Sequence, residues 1–234
     1  MDSNRTPKIT SYTAVQAVIF DLDGVLINSE WLAFKAWQSL AREHGGFLPE
    51  SAYPAMAGIS AEATVDYVMQ NAGVKFEEGI NVDWIWREMT RLLTSQARAM
   101  PGATTLVREL ARRGYPLAIA SNSITSFGEQ ALRALGLLDD FPVRVYIDQV
   151  AQGKPAPDVY LRAAELCEAD PRRCLAIEDS RTGVQSAVNA GMRVIAVPDH
   201  HDHQDGFTAA WKIYPSLVQV QDDLDELLIQ AVRP

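Results

Sequence analysis

Two aspartates separated by a single residue stand at the end of an apolar run near the start of the chain. Asp21 and Asp23 follow Ala17-Val18-Ile19-Phe20 and precede Gly24, a composition typical of a strand that ends in a turn. A carboxylate can act as a nucleophile, and a second carboxylate beside it can donate and accept protons. The pair therefore predicts Asp21 as a nucleophile and Asp23 as its general acid and base.

Further polar residues stand where other predicted strands end or helices begin. Ser121 and Asn122 follow one apolar run, and Glu178 and Asp179 follow another. Lys154 lies in a proline-rich loop before a predicted helix. Taken singly, each of these has a structural explanation as a turn residue, a helix cap or a solvated charge. Their occurrence together, in order, favours a shared function.

Phosphoryl transfer explains this mixture of residue types. Clustered carboxylates repel one another, and a divalent cation with a preference for hard oxygen ligands, Mg²⁺, relieves the repulsion. Ser121, the backbone N–H groups near Asn122, and Lys154 would donate to phosphoryl oxygens. The expected partner is a small-molecule phosphate ester, whose phosphoryl group passes to Asp21 and then to water.

A parallel sheet would bring these residues to one edge, because ligands of open α/β sheets bind beyond the carboxyl ends of the strands. Apolar runs predict four strands buried on both faces, at 14–21, 115–120, 174–177 and 192–197. Helical patterns alternate with them, at 104–113, 125–135, 158–168, 181–190 and 222–232. The alternation predicts an α/β fold with a doubly wound parallel sheet.

One stretch breaks the alternation. Residues 29–100 contain no predicted strand but three amphipathic helices, at 31–44, 61–72 and 82–99. We therefore expect an all-helical domain at 29–100, inserted into a catalytic core formed by 14–28 and 101–234. Its four tryptophans are expected to form its core: Trp31, Trp37, Trp84 and Trp86. Residues 1–13 are expected to form a disordered tail.

Composition and charge limit the partners. The chain has 234 residues and a formal net charge of −9, which disfavours nucleic acid and anionic membranes as partners. No apolar run approaches the roughly 20 residues that a membrane span needs, and no signal peptide is evident. We expect a cytoplasmic protein, monomeric or weakly dimeric, with two reduced cysteines. His200, His201 and His203 are interpreted as a polar loop without a functional metal.

At the residues described above, the sequence resembles the haloacid dehalogenase superfamily, in its β-phosphoglucomutase-like and sugar-phosphatase branch. The matching motifs are VIFDLDGVL at 18–26, IASN at 119–122, GKPAPD at 153–158, and AIEDS at 176–180 followed by Gly183. The resemblance implies a Rossmann-like core with a helical cap between the first and second motifs. It also implies Mg²⁺ bound by Asp21, the backbone carbonyl of Asp23, and Asp179, with Glu178 in or near the metal shell.

The resemblance leaves rival activities to weigh. Dehalogenases and phosphonate hydrolases of this superfamily lack the second aspartate, so Asp23 argues against both. A phosphosugar mutase stays open as an alternative. A mutase-type cap, however, carries a histidine where this sequence has Ala33, and an arginine where it has Ala61, which follows Gly58, Ile59 and Ser60. A catalytically inactive binding protein is the third alternative. The favoured interpretation is a phosphomonoesterase whose substrate touches the cap at 58–60, with Asn28 in the cap hinge.

Overall fold

The computed structural model describes residues 12–56, 61–76, 82–198 and 204–231, and the structural statements below concern these residues. The strands β1–β8 span, in chain order, Tyr12–Ala14, Ala17–Phe20, Leu117–Ser121, Val143–Tyr146, Cys174–Glu178, Arg193–Ala196, Lys212–Ile213 and Ile229–Ala231. The helices α1–α10 span Ser29–Glu43, Tyr53–Met56, Ala61–Ala72, Val82–Gln96, Ala103–Arg112, Thr125–Leu135, Asp158–Leu166, Arg181–Asn189, Leu217–Asp222 and Leu224–Leu227.

Six strands form one parallel sheet in the order β4-β3-β2-β5-β6-β7, which confirms the predicted α/β class. The central strand β2 is buried on both faces. Val18 and Phe20 point into one hydrophobic cluster with α5 and α6, and Ala17 and Ile19 into another with α7 and α8. Each fully buried large apolar side chain contributes roughly 1.5–3 kcal/mol to the free energy of unfolding. Helices on both faces make the sheet doubly wound.

The end of the chain differs from its prediction. The helix expected at 222–232 is wrong: α9 ends at Asp222, α10 covers only Leu224–Leu227, and Ile229–Ala231 forms β8. β8 pairs antiparallel with β1, with Tyr12 opposite Ala231. This long-range pairing overrides the local helical periodicity. Of the disordered tail expected at 1–13, residues 1–11 lie outside the described residues, and residues 12 and 13 belong to β1. The histidine loop at 200–203 also lies outside the described residues.

The stretch predicted to be helical contains α1–α4, and we call it the helical insert. Its two connections to the sheet run side by side. Ile27 bridges antiparallel to Ala99, the N–H of Asn28 donates to the carbonyl of Arg98, and that of Met100 to the carbonyl of Leu26. The side-chain oxygen of Asn28 also accepts from the N–H of Trp31 at 2.9 Å, which caps α1. Such a cap is worth about 1 kcal/mol.

The tryptophans of the helical insert do not all have the same role. Trp31 and Trp37 are buried and Trp84 is partly buried, as predicted for the insert's core. Trp86 on α4 remains 40% exposed, and its ring meets Phe127 of α6 edge-on at 5.5 Å. Trp86 therefore packs the helical insert against α6 of the sheet domain and does not contribute to the hydrophobic interior of the insert. Within the described ranges, each helix is too short or too polar to cross a bilayer.

Candidate active site

The carboxyl ends of three neighbouring strands bring polar side chains to one edge of the sheet. Asp21 directly follows β2, Ser121 is the last residue of β3, and Glu178 is the last residue of β5. Because β2 lies between β3 and β5, these ends are adjacent. The N–H of Asp21 donates to the carbonyl of Ile177 at 3.0 Å, which continues the pairing of β2 with β5. This edge is where an open α/β sheet binds its ligands.

A buried lysine joins two of these acids. Lys154, in the loop between β4 and α7, has a side chain only 4% exposed. Its Nζ lies 2.7 Å from Oδ1 of Asp21 and 2.6 Å from Oε1 of Glu178. The hydroxyl of Tyr160 donates to the same Oε1 at 2.7 Å. Burial lowers the pKa of the ammonium, but the two carboxylates outweigh burial and raise it, so Lys154 is a fixed positive charge.

Three carboxylates gather around this lysine. One oxygen from each of Asp21, Glu178 and Asp179 lies within 4.8 Å of the others. Burial raises the pKa of Asp21 to about 7; Lys154 opposes this rise, and the charges of Glu178 and Asp23 add to it. Burial, then the charges of Asp21 and Glu178, raises the pKa of Asp179 well above its ordinary range. When all three acids are ionised, they and the single ammonium of Lys154 leave two negative charges unbalanced.

This donor set fits a divalent cation. Carboxylate oxygens are the ligands that Mg²⁺ prefers, and a charge of +2 would balance the cluster and relieve the repulsion. Glu178 has the fewest oxygens to spare. Its Oε1 accepts from Lys154 and Tyr160, and its Oε2 accepts from the N–H of Asp179 at 3.2 Å. Asp21 and Asp179 are therefore better placed than Glu178 to bind an ion directly.

Two glycines leave room for these acids. A Cβ on Gly24, whose φ is +70°, would lie 1.7 Å from Oδ2 of Asp179. A Cβ on Gly183 in α8 would lie 2.0 Å from Oε1 of Glu178. Both distances are far below van der Waals contact, so a side chain at either position would displace a carboxylate. The glycine of the Asp-Leu-Asp-Gly motif thus serves the acid cluster as well as the turn.

The side chain of Asp23 is held beside the acid cluster by two serines at the end of β3. Oγ of Ser123 donates to Oδ2 of Asp23 at 2.6 Å, and Oγ of Ser121 donates to the same oxygen at 3.4 Å. The N–H of Ser123 donates to Oγ of Ser121 at 2.9 Å. The Asp23 carboxylate is not one of the three clustered acids found among the described residues. Its role as general acid and base, and the metal contact that the resemblance implies for its backbone carbonyl, stay predictions.

Asn122 positions the lysine loop. Its Oδ1 accepts from the N–H of Lys154 at 2.8 Å, and its Nδ2 donates to the carbonyl of Lys154 at 3.3 Å. On the far side of the loop, Oγ of Ser186 donates to the carbonyl of Ala156 at 2.6 Å. The Asn122 side chain thus binds the backbone of the lysine loop. The phosphate contact predicted from the sequence, by the backbone N–H groups near Asn122, stays a prediction.

Comparison with known proteins identifies the family of this chain. A family model of haloacid dehalogenase-like hydrolases matches residues 15–191. The chain belongs to this family. Hexitol phosphatase A of Escherichia coli strain K12 is 35% identical to this hydrolase over 183 residues, 76% of this chain and 81% of that enzyme. Beta-phosphoglucomutase of Bacillus subtilis strain 168 is 30% identical over 190 residues, 78% of this chain and 83% of that enzyme.

Solved structures show the same fold. A HAD family hydrolase from Deinococcus radiodurans R1, crystallised with bound phosphate and sodium, matches this haloacid dehalogenase-like hydrolase with a TM-score of 0.73 and 28% identity. The match covers 91% of this chain and 96% of that one. The family resemblance inferred from the four motifs is therefore confirmed.

The helical insert of this hydrolase contains a cavity of about 130 Å³. The side chains that line it are largely apolar and aromatic: Glu30, Ala33, Phe34, Trp37, Tyr53, Met56 and Thr64. No lysine, arginine or histidine is among these described lining residues. Gly58, Ile59 and Ser60, the predicted substrate contacts, lie outside the described residues, in the connection between α2 and α3.

Sequence reasoning missed two residues that hold the site of this haloacid dehalogenase-like hydrolase together. Ser123 binds Asp23, and Tyr160 binds Glu178. Ser123 offered a weak signal, since it lies two residues after Ser121 and just before a helix, as a capping residue does. Tyr160 offered none, because an aromatic residue in the first turns of an amphipathic helix normally indicates packing.

Proposed function

We propose that this chain is a Mg²⁺-dependent phosphomonoesterase that hydrolyses a small phosphorylated metabolite, such as a sugar phosphate, through an aspartyl-phosphate on Asp21. The observation that carries the proposal is the contact of Asp21 with Lys154 inside a cluster of three carboxylates. A carboxylate nucleophile, a buried cation and a donor set for a divalent ion are the parts that phosphoryl transfer needs. The similarity to hexitol phosphatase A supports a sugar or polyol phosphate as substrate.

In the first half-reaction, a carboxylate oxygen of Asp21 bonds to phosphorus while the bond from phosphorus to the leaving oxygen breaks. Asp23 gives its proton to that oxygen, so the alcohol departs neutral. Lys154 and Ser121 donate to the phosphoryl oxygens as their charge develops. A bound Mg²⁺ supplies the positive charge that lets an anionic nucleophile approach an anionic phosphate.

In the second half-reaction, water replaces the alcohol. Asp23, now ionised, removes a proton from the water, whose oxygen bonds to phosphorus. The bond between phosphorus and Asp21 breaks, inorganic phosphate is released, and both aspartates return to their starting states. Lys154, 2.7 Å from the Asp21 carboxylate in the structure, would stabilise that carboxylate as it leaves.

The assignments that follow are part of the proposal. We infer that Mg²⁺ binds Asp21, the backbone carbonyl of Asp23, and Asp179. Glu178 would lie beside the ion without binding it, because its oxygens already accept from Lys154, Tyr160 and the N–H of Asp179. Residues 29–100 act as a cap over a core of 14–28 and 101–234, and the 58–60 segment contacts the leaving group.

Metal removal tests the proposed function. We expect p-nitrophenyl phosphate hydrolysis to fall about 100-fold in excess chelator, a loss of about 2.7 kcal/mol of transition-state stabilisation. Added Mg²⁺ restores turnover, and Ca²⁺ restores little, since it favours longer bonds and more ligands. Phosphate release would be measured by a colorimetric assay. Full activity in chelator would contradict the metal assignment, and no release under any condition would favour an inactive binding protein.

A phosphosugar mutase is the second candidate, because a beta-phosphoglucomutase is 30% identical to this chain. A mutase must hold a second phosphate in its cap, which takes a cation, since a buried phosphate without one loses its hydration uncompensated. Ala33 stands where a mutase-type histidine is expected, and it lines a cavity whose described lining residues include no cation. These observations support phosphate hydrolysis over the phosphosugar mutase reaction.

Product analysis separates the two candidates. We expect β-glucose 1-phosphate, where it is accepted, to give free phosphate and glucose, because the described lining of the insert's cavity includes no cation to hold the second phosphate of a bisphosphate intermediate. Phosphorus nuclear magnetic resonance distinguishes the products directly. Stoichiometric conversion to glucose 6-phosphate with little free phosphate would favour the mutase instead.

A further inference from the structure

We infer that Ser123 positions Asp23 for proton transfer, an inference that rests on the proposed function. The hydroxyl of Ser123 donates to Oδ2 of Asp23 at 2.6 Å, the shorter of two hydroxyl contacts to that oxygen. The other donor, Ser121, lies at 3.4 Å and is the hydroxyl proposed to bind the phosphoryl group. When Ser121 turns to the substrate, Ser123 is the hydroxyl that still holds the acid.

Ser123 is itself fixed by the backbone around it. Its N–H donates to Oγ of Ser121 at 2.9 Å, and its carbonyl accepts from the N–H of Ile147 at 3.2 Å, in the connection after β4. The residue is only 4% exposed. Thr125, two residues on, is held in turn by Oδ1 of Asp148, which accepts from its N–H at 3.0 Å. The backbone that carries the Ser123 hydroxyl is therefore hydrogen-bonded to the carboxyl ends of both β3 and β4.

This geometry gives the two oxygens of Asp23 different tasks. Oδ2 accepts from Ser123, whereas Oδ1 has no hydrogen-bond partner in the described part of the chain. Oδ1 is thus the oxygen that carries the proton to the leaving group. Without the Ser123 hydroxyl, the Asp23 carboxylate keeps only the long contact to Ser121 and can rotate about its side-chain bonds. Its proton then points at the leaving oxygen of the substrate for a smaller share of the time. Ser123 is a positioning residue because it acts through Asp23.

Leaving-group dependence can separate this role from a general structural one. A p-nitrophenolate is stable enough to leave unprotonated, whereas a phenolate needs more help from a general acid. The two esters share the phenyl ring and differ by one nitro group. Each variant is compared with the wild-type protein on the same ester, so the difference in binding between the esters cancels. The ratio kcat/KM reports the enzyme up to formation of the aspartyl-phosphate, which is the step in which Asp23 donates its proton.

We expect Ser123→Ala to lower kcat/KM for phenyl phosphate about 10- to 100-fold, part of the 10²- to 10⁴-fold that a general acid supplies. The same variant should lower kcat/KM for p-nitrophenyl phosphate by less than about threefold, since that ester depends little on the acid. Ser123→Thr retains a hydroxyl and should recover most of the loss on phenyl phosphate. Ser126→Ala, an exposed serine on α6, is the matched control and should leave both esters unchanged.

Thermal melting of each variant checks folding. If Ser123→Ala does not fold, Ser123→Cys has nearly the same volume and a much weaker donor, and it is judged by the same ratio. Equal losses on the two esters, or no loss on phenyl phosphate, would overturn the inference while leaving the proposed function intact. Failure of the wild-type protein to release phosphate from either ester would instead overturn the proposed function.

Discussion

Replacing the proposed nucleophile, Asp21→Asn, is expected to abolish turnover, with a loss on the order of 10³-fold or more. The amide cannot attack phosphorus, and it also removes an oxygen from the proposed metal site. The fold should survive, because Lys154 keeps Glu178 as its buried partner at 2.6 Å, and a neutral side chain relieves the repulsion among the clustered acids. We expect the metal-free variant to melt no lower than the wild-type protein.

Phosphate release and thermal melting, measured together, decide this prediction. Asp139→Asn makes the same chemical change at an exposed position and should leave activity and melting unchanged. The covalent step can also be followed directly, by mass spectrometry of protein trapped during turnover. Wild-type-like release from Asp21→Asn would show that another residue attacks phosphorus.

Loss of the buried cation, Lys154→Met, is the second large effect. Without the ammonium, three clustered carboxylates face one another, and removing one partner of a buried ion pair costs about 3–5 kcal/mol. We expect a lower melting temperature in chelator and a greater stabilisation by Mg²⁺ than in the wild-type protein, because the site gains one negative charge. Turnover should fall about 10³-fold, since a donor to the developing phosphoryl charge is lost.

Lys154→Arg helps to interpret that result. It keeps the charge but replaces a compact ammonium with a larger planar fork, which does not fit between Asp21 and Glu178 at 2.6–2.7 Å in the same way. We expect Lys154→Arg to melt above Lys154→Met in chelator while remaining poorly active. Equal melting of the two variants would mean that the charge of Lys154 contributes little to stability.

Much of the site could be predicted because its residues stand at the ends of recognisable strands. Asp21, Ser121 and Glu178 follow apolar runs long enough to identify β2, β3 and β5, and parallel strands bring such ends together. Lys154 was placed by its loop and motif rather than by any strand. The sequence could not give distances, so it did not predict that Ser123 binds the Asp23 carboxylate.

The elements that the sequence did not predict are those set by distant contacts. β4 is only four residues long, with Arg144 interrupting its apolar run, and it is ordered by pairing with β3. β7 has two residues and depends on β6. β8 looks helical locally and becomes a strand because β1 lies beside it. The helices α3 and α6 were predicted with their observed bounds.

The paired connections of the helical insert bear on how such a protein can evolve. Ile27 and Ala99 are bridge partners, so the points where the insert leaves and rejoins the sheet are already neighbours. Genetic exchange of the segment between them would leave the register of both connections, and the spacing of Asp21 and Asp23 ahead of them, unchanged. Contacts such as that of Trp86 with Phe127 would have to be rebuilt, but the reacting groups would not. Under the proposed function, exchange of the insert at this one locus would change the substrate contacts and leave the reaction itself unchanged.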